Sequence, residues 1–133
     1  MLCLLYTAAA EKEIIKSVVK LVKHKDGNVE ILASNADIGQ GLKTTFSKIV
    51  SKVLEIPLDK IKIDNPDTDR VPNSGPTVAS RSLMIVGKLL ERASKKMKEQ
   101  WKDGEELTIE EHYVHPDMIP WDCLLYTSKK DLI

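Results

Sequence analysis

The sequence predicts an α+β domain, with two amphipathic helices packed on one face of a small, mostly antiparallel sheet. A β-branched run followed by an Asp-Gly turn marks a hairpin, and two long segments carry apolar residues at helical spacing. Short strand-like segments separate and follow those helices. The order strand, strand, helix, strand, helix, strand suits a two-layer packing around a single core.

The first strand is expected over Ser17–His24 and the return strand over Val29–Ser34, joined by Lys25-Asp26-Gly27-Asn28. Asn35 to Gln40 then leaves the sheet. From Gly41 the period changes: Leu42, Phe46, Ile49, Val50 and Val53 share one helical face, and Lys43, Ser47, Lys48, Ser51 and Lys52 fall mostly on the other. Pro57 stops this helix, and Lys60–Ile63 reads as a short strand. Asp64 to Gly75 is a long loop, and loops of such length are usually functional or disordered. Pro76 suits the first turn of a second helix reaching about Lys98, with Leu83, Val86, Leu90, Ala93 and Met97 buried. Lys95, Lys96 and Lys98 then complement the helix dipole. Lys102-Asp103-Gly104 is a turn, and Glu105–Val114 a last strand with no clear partner in the chain.

The 133 residues are enough for one ordinary domain. Lys plus Arg and Asp plus Glu both number 20, so the net charge of zero argues against a general nucleic-acid or acidic-membrane surface. No apolar run approaches the roughly 18 residues of a membrane span. The two cysteines sit in a repeated end sequence, Cys3-Leu4-Leu5-Tyr6-Thr7 and Cys123-Leu124-Leu125-Tyr126-Thr127. A disulfide clasp is one reading. The preferred reading is that Cys123 to Ser128 resembles an in-frame translation of a transposon-end sequencing adapter. Residues 1–7 and 123–133 are then expected to be non-native ends, and 8–122 a segment cut from something longer. Without an internal cysteine, a reduced, cytoplasmic setting is the default.

Two motifs carry the functional signal. Ala36-Asp37-Ile38-Gly39-Gln40-Gly41 and Asp67 to Ser80 are irregular loops running straight into helices. Helix starts leave backbone N–H groups unpartnered, so two of them suggest one large, polar, anionic ligand held from two sides. Gly39 and Gly41 permit close backbone approach, and Gln40 offers an acceptor and a donor pair suited to a polar heterocycle or an oxo group. Thr77, Ser80 and Ser82 supply hydroxyls in what reads as a first helical turn, and Ala79 leaves backbone accessible. The bland alternatives are a ligand-free helix start and ordinary capping. Asp37 either orients a loop N–H or is solvated. His112 and His115, flanking Tyr113, read as surface or strand-end residues. No Ser-His-Asp or Cys-His constellation, phosphate-cradling loop or carboxylate pair places chemistry in the chain.

Taken together, Asp37-Ile38-Gly39-Gln40-Gly41-Leu42-Lys43-Thr44, Leu54 to Ile61, and Asp67-Thr68 with Val71 to Ser80 resemble the molybdopterin-binding subunit of the xanthine dehydrogenase and aldehyde oxidase family. The resemblance is collinear over roughly Ser17 to Asp122. It implies a molybdenum hydroxylase, which inserts a water-derived oxygen at an electron-poor carbon of a heterocycle or aldehyde. Electrons would leave through the pterin to iron–sulfur clusters and usually FAD on partner domains or subunits. Gln40, with the backbone of Ile38 and Gly39 and the adjoining Gly41, would hold the molybdopterin cofactor. Thr77, Val78, Ala79 and Ser80 would contact it from the second loop, with Val78 and Ala79 bordering the metal centre, and Ser82 is carried over with them.

Asp37 stands where the family usually has Glu, and Asn35-Ala36 replaces a glycine- and threonine-rich lead-in. The family's Gly-rich Phe loop and its later catalytic glutamate have no matching position. Residues 8–122 are therefore expected to be part of a molybdopterin-binding domain, silent by itself and reliant on the remainder of that subunit. The alternative is a standalone α+β binding module whose Gly-Gln-Gly loop is only a helix start. A small nucleotide-binding enzyme is disfavoured by the missing phosphate loop.

Overall fold

A computed structural model describes residues 16–78 and 80–113. The repeated end sequences, with Cys3 and Cys123, lie outside those residues, as do Ala79, Val114 and His115. Strands β1 (Val18–Lys23) and β2 (Val29–Leu32) form the hairpin, and helix α1 (Leu42–Leu54) follows. A single turn at Leu58–Lys60 leads into β3 (Ile61–Lys62). A π-helical stretch, Ser82–Val86, runs directly into α2 (Gly87–Glu99), and β4 (Leu107–His112) ends the described chain.

The four strands make one sheet in the order β3-β2-β1-β4. It is mixed: β1 pairs antiparallel with β2 and β4, and β3 joins β2 in parallel. The parallel pair arises because α1 carries the chain back across the sheet, as a crossover must. The last strand, expected to lack a partner, pairs with β1 along its full length, from Val18 opposite His112 to Lys23 opposite Leu107. Composition could not reveal this pairing because the two segments lie at opposite ends of the domain.

The hairpin forms where Asp-Gly predicts it, with Gly27 at φ 82° in the turn. Side chains alternate along β1, so Val19 and Leu21 enter the core and Val18, Lys20 and Val22 stand half-exposed. Lys23 also points inward yet is only 1% exposed. Its Nζ donates to the carbonyls of Lys102 and Glu105, both at 2.7 Å, and lies 4.7 Å from the centre of the Trp101 ring. Burial of this charge is thus compensated by carbonyl acceptors and an aromatic face.

Helix α1 buries Leu42, Phe46, Val50 and Leu54, close to the predicted stripe. It ends at Glu55, whose left-handed φ of 59° reverses the chain ahead of Pro57. In α2, Val86, Leu90, Ala93 and Met97 are buried as expected, but Leu83 is 48% exposed. The wider π turn over Ser82–Val86 explains the miss, since an i, i+3, i+4 stripe presumes uniform α geometry. Pro76 likewise lies outside the helix, in chain without regular secondary structure, and helical structure begins only at Arg81.

Candidate functional site

The two loops meet at the end of the hairpin, and their lead-ins run side by side. The Ser74 N–H donates to Ser34 Oγ at 2.8 Å, and the Ser34 N–H donates back to Ser74 Oγ at 3.0 Å. Two residues further along, the Ala36 N–H donates to Thr77 Oγ1 at 3.0 Å. Asn35, 5% exposed, donates from its amide nitrogen to Thr77 Oγ1 at 3.3 Å and Ser82 Oγ at 3.1 Å. Its carbonyl oxygen is buried without a hydrogen-bond partner. Such an orphan acceptor costs about 1–3 kcal/mol and calls for an explanation.

A cavity of about 260 Å³ opens between the loops, lined by Gln40, Leu42, Thr45, Thr77, Ser80, Ser82 and Leu83. Gln40 from the first loop and Thr77, Ser80 and Ser82 from the second therefore share one concavity. Ile38 projects into solvent, 90% exposed, and Val78 is 41% exposed. Neither lines the cavity.

The first loop is organised around Asp37. Its Oδ1 accepts from the N–H groups of Gly39 (3.1 Å) and Gly41 (3.2 Å), and its Oδ2 from that of Lys43 (2.9 Å). The expectation of open N–H groups at this helix start is corrected accordingly: the carboxylate already occupies part of the first turn. Gln40 closes the same loop, with Oε1 accepting the Ile38 N–H at 2.7 Å and Nε2 donating to Ala36 O at 2.9 Å. One Nε2 proton is engaged there, which leaves Gln40 a second proton for the cavity. Gly39 and Gly41 hold φ of 112° and 73°, conformations a side chain would resist.

These backbone donors, led by Lys43 and followed by Gly39 and Gly41, lower the Asp37 pKa from its usual 3.8. A lowered folded-state pKa stabilises the loop above the unfolded value. That contribution is lost as pH falls below about 3.8 and through the folded value. In an amide-exchange titration from neutral into acid, protection at Gly39, Gly41 and Lys43 should drop together before the sheet amides open. In Asp37→Asn the early acid step should vanish. Retention of that step in the variant would assign it to another carboxylate.

The second loop is held from behind by Arg81, which does not stand out in the sequence. Its guanidinium, in a residue 8% exposed, donates to the carbonyls of Ser74 (3.0 Å), Pro76 (3.1 Å) and Lys16 (3.2 Å) and to Ser17 Oγ (3.1 Å). Burial lowers its pKa from the usual 12.5, against a smaller opposing influence of Tyr113. Gly75 makes room for this group, as a Cβ there would stand 2.3 Å from Nη2. The available signal is Gly75 six residues before an arginine that follows a run of small and polar residues. Among the described residues, no three His, Cys, Asp or Glu side chains cluster as a metal site. No helix there is long and apolar enough to cross a membrane.

Residues 3–122 match the family described as molybdopterin cofactor-binding domain. The chain belongs to that family. Molybdopterin is therefore the cofactor its fold is built around, and the standalone-module alternative is not favoured. The chain is 37% identical over 70 residues to mouse xanthine dehydrogenase/oxidase, covering 53% of this chain and 5% of that protein. It is 35% identical over 69 residues to a nicotinate dehydrogenase protein of Pseudomonas putida, covering 52% of this chain and 6% of that one. Among solved structures it resembles CO dehydrogenase from Oligotropha carboxidovorans, with a TM-score of 0.60 and 30% identity over 65% of this chain and 11% of that one. Aldehyde oxidoreductase from Desulfovibrio gigas shares the fold, with a TM-score of 0.59 and 21% identity over 73% of this chain and 13% of that one. The chain thus spans about 5% of the length of the xanthine dehydrogenases it matches.

The residues present fit such a cofactor. The cavity is neutral, its lining carries the hydroxyls of Thr45, Thr77, Ser80 and Ser82 with the Gln40 amide, and apolar surface, including Leu42 and Leu83, makes up the larger part of its wall. A volume of about 260 Å³ lies just under the usual range for a complete small-molecule pocket, as suits one wall of a larger site.

Proposed function

We propose that this chain forms one wall of the molybdopterin site in a molybdenum hydroxylase of the xanthine dehydrogenase and aldehyde oxidase type. The observation that carries the proposal is the convergence of Gln40 with Thr77, Ser80 and Ser82 on a single cavity. Gln40, Thr77, Ser80 and Ser82 hold the cofactor by hydrogen bonds. Ile38, Gly39 and Gly41 give the first loop its shape, and Val78 and Ala79 border the metal side. When bound, the cofactor supplies two-electron oxidation of a heterocycle or aldehyde and passes electrons toward iron–sulfur and flavin groups on partner domains. The chain's own share is binding and orientation. None of the described residues that line the cavity is a carboxylate, histidine or lysine, which supports an isolated polypeptide that is catalytically silent.

An open apolar groove of about 730 Å³ between the helices supports dependence on further protein. Ile49, Val53, Leu83, Met84 and Gly87 supply its apolar surface, with Met84 67% exposed, and Lys52, Lys88, Glu91, Lys95 and Lys98 line the rest. A surface of this kind suits coverage by the rest of the molybdopterin subunit. The relatives' partner proteins, and a reduced intracellular setting, belong to the same proposal. So does the assignment of 1–7 and 123–133 as adapter-derived ends.

The test grafts residues 17–113 into the matched segment of the Pseudomonas putida nicotinate dehydrogenase protein and assays its bound pterin and molybdenum. A folded graft should load the cofactor, and Gln40→Ala should lower loading. A folded graft that holds no pterin would overturn the reading. Hydroxylation of a purine or aldehyde by the isolated chain would refute its silence.

A further inference from the structure

Asn35 lies behind the cavity and outside the set of residues proposed to touch the cofactor. Its amide nitrogen can only donate, and both of its protons go to hydroxyls that line the cavity, Thr77 Oγ1 and Ser82 Oγ. Thr77 Oγ1 accepts a further proton from the Ala36 N–H. A hydroxyl oxygen has two lone pairs, so both of those on Thr77 are engaged and its own proton must point elsewhere. Ser82 Oγ has one lone pair engaged in the same way.

The opposite orientation of the Asn35 amide would let the two hydroxyls donate to its oxygen. It would strand the NH2 group in place of the oxygen, and buried orphan N–H groups are rarer than under-satisfied oxygens. The orphaned Oδ1 is thus explained as the cost of directing two amide protons at the hydroxyls.

We propose that Asn35 is a positioning residue that fixes hydroxyl polarity. Together with the Ala36 N–H it fills both acceptor positions on Thr77, whose hydroxyl is left to donate, and it fills one of the two on Ser82, which biases that hydroxyl the same way. That wall therefore selects an oxyanion, the chemistry shared by a phosphate group and a metal-oxo group. The opposite side differs: Thr45 gives its proton to Gly41 O at 3.0 Å and can offer the cavity only lone pairs. The inference rests on the cofactor-site reading and adds direction to it. Asn35-Ala36 also departs from the lead-in expected of the family, so this setting belongs to this chain's own sequence.

The experiment uses the full 133-residue chain and NMR. First, the Asn35 side-chain amide protons should be protected from exchange and should shift in Thr77→Val. Rapid exchange with no response would overturn the orientation. Second, inorganic pyrophosphate and, separately, molybdate are titrated while the Ala36, Thr77 and Ser82 amides are followed. Binding of pyrophosphate alone identifies the phosphate end of the ligand, and binding of molybdate alone the metal-oxo end. A response to neither overturns the donor wall.

Asn35→Asp keeps the shape of the side chain but can only accept when ionised. It should bind the responding oxyanion roughly tenfold more weakly at mildly alkaline pH and recover in part as acid protonates it. In a Thr77→Val/Ser82→Ala background the same change should have little further effect. An equal effect in both backgrounds would mean plain charge repulsion and would overturn the relay through the hydroxyls. Asn35→Leu, which adds no charge, supplies the comparison if the aspartate variant does not fold, with loss of affinity expected again only when both hydroxyls are present. Failure in any of these arms leaves cofactor loading of the graft as a separate result.

Discussion

Phe46→Ala should destabilise the domain by about 3–5 kcal/mol, the usual cost of removing a fully buried aromatic ring. Phe46 is the chain's one phenylalanine and is 1% exposed. It sits mid-way along α1, within the cluster that joins Val19, Leu21 and Ile31 of the sheet to Leu89 and Leu90 of α2. The chain has few aromatic residues, and the neighbours of Phe46 come from rigid elements that can collapse only partly into the space. Domains of this size are stable by about 5–15 kcal/mol, so the variant should lose roughly a fifth or more of its margin. Urea denaturation followed by circular dichroism checks this. Ile49→Ala, half-exposed on the same helix, provides the contrast and should cost clearly less. Equal losses for the two variants would contradict the core described for α1.

Gly75→Ala should cost roughly 3 kcal/mol, an unusually large effect for adding one methyl group to a loop. Gly75 holds φ at 78°, where a Cβ costs about 1–2 kcal/mol. The added carbon would also stand 2.3 Å from Arg81 Nη2 and 2.7 Å from its Cζ. The guanidinium would have to move, taking its donor from the Pro76 carbonyl and from Ser17 Oγ and leaving the Ser74 carbonyl with the Ser17 hydroxyl alone. Each such loss in a buried setting costs further stability. Arg81→Ala combined with Gly75→Ala separates the contributions: the steric part should disappear in the double variant and the backbone part remain. Thermal unfolding of the four proteins completes that cycle, and strict additivity would remove Arg81 from the account.

Much of the architecture is legible in the sequence because local patterns coincide with tertiary demands. The Asp26-Gly27 turn, the Leu42, Phe46 and Val50 stripe and the stop before Pro57 each have a local cause that packing reinforces. Two failures share a different origin. Periodicity places Leu83 inside because it presumes a uniform helix, and the π turn at Ser82–Val86 breaks that premise. Residue preference places Pro76 in the helix because proline suits a first turn, whereas here it stands in the stretch fastened to Ser34 and Ala36. The partner of β4 is hidden, since strand pairing between distant segments leaves no local trace.

The site divides in the same way. Gln40, Thr77, Ser80 and Ser82 stand out by residue type and loop context, and the fold gathers them around one cavity. Asn35 and Arg81 do not stand out, because their roles depend on which carbonyls and hydroxyls the fold brings within reach. Asp37 reads from sequence as a possible loop organiser, and its reach to Gly39, Gly41 and Lys43 supplies the geometry.

The strand order has a consequence for how the protein is made. Of the described strands, β1 is synthesised first and its outer neighbour β4 last. Until residues near 112 leave the ribosome, β1 has just one of its two described neighbours, β2, and a lone two-stranded hairpin is marginal in water. Both helices are by then already out, with apolar faces but an incomplete sheet to cover them. Completion of the described sheet therefore waits for its most sequence-distant strand pairing, and slow non-local pairing of this kind leaves a nascent chain open to aggregation.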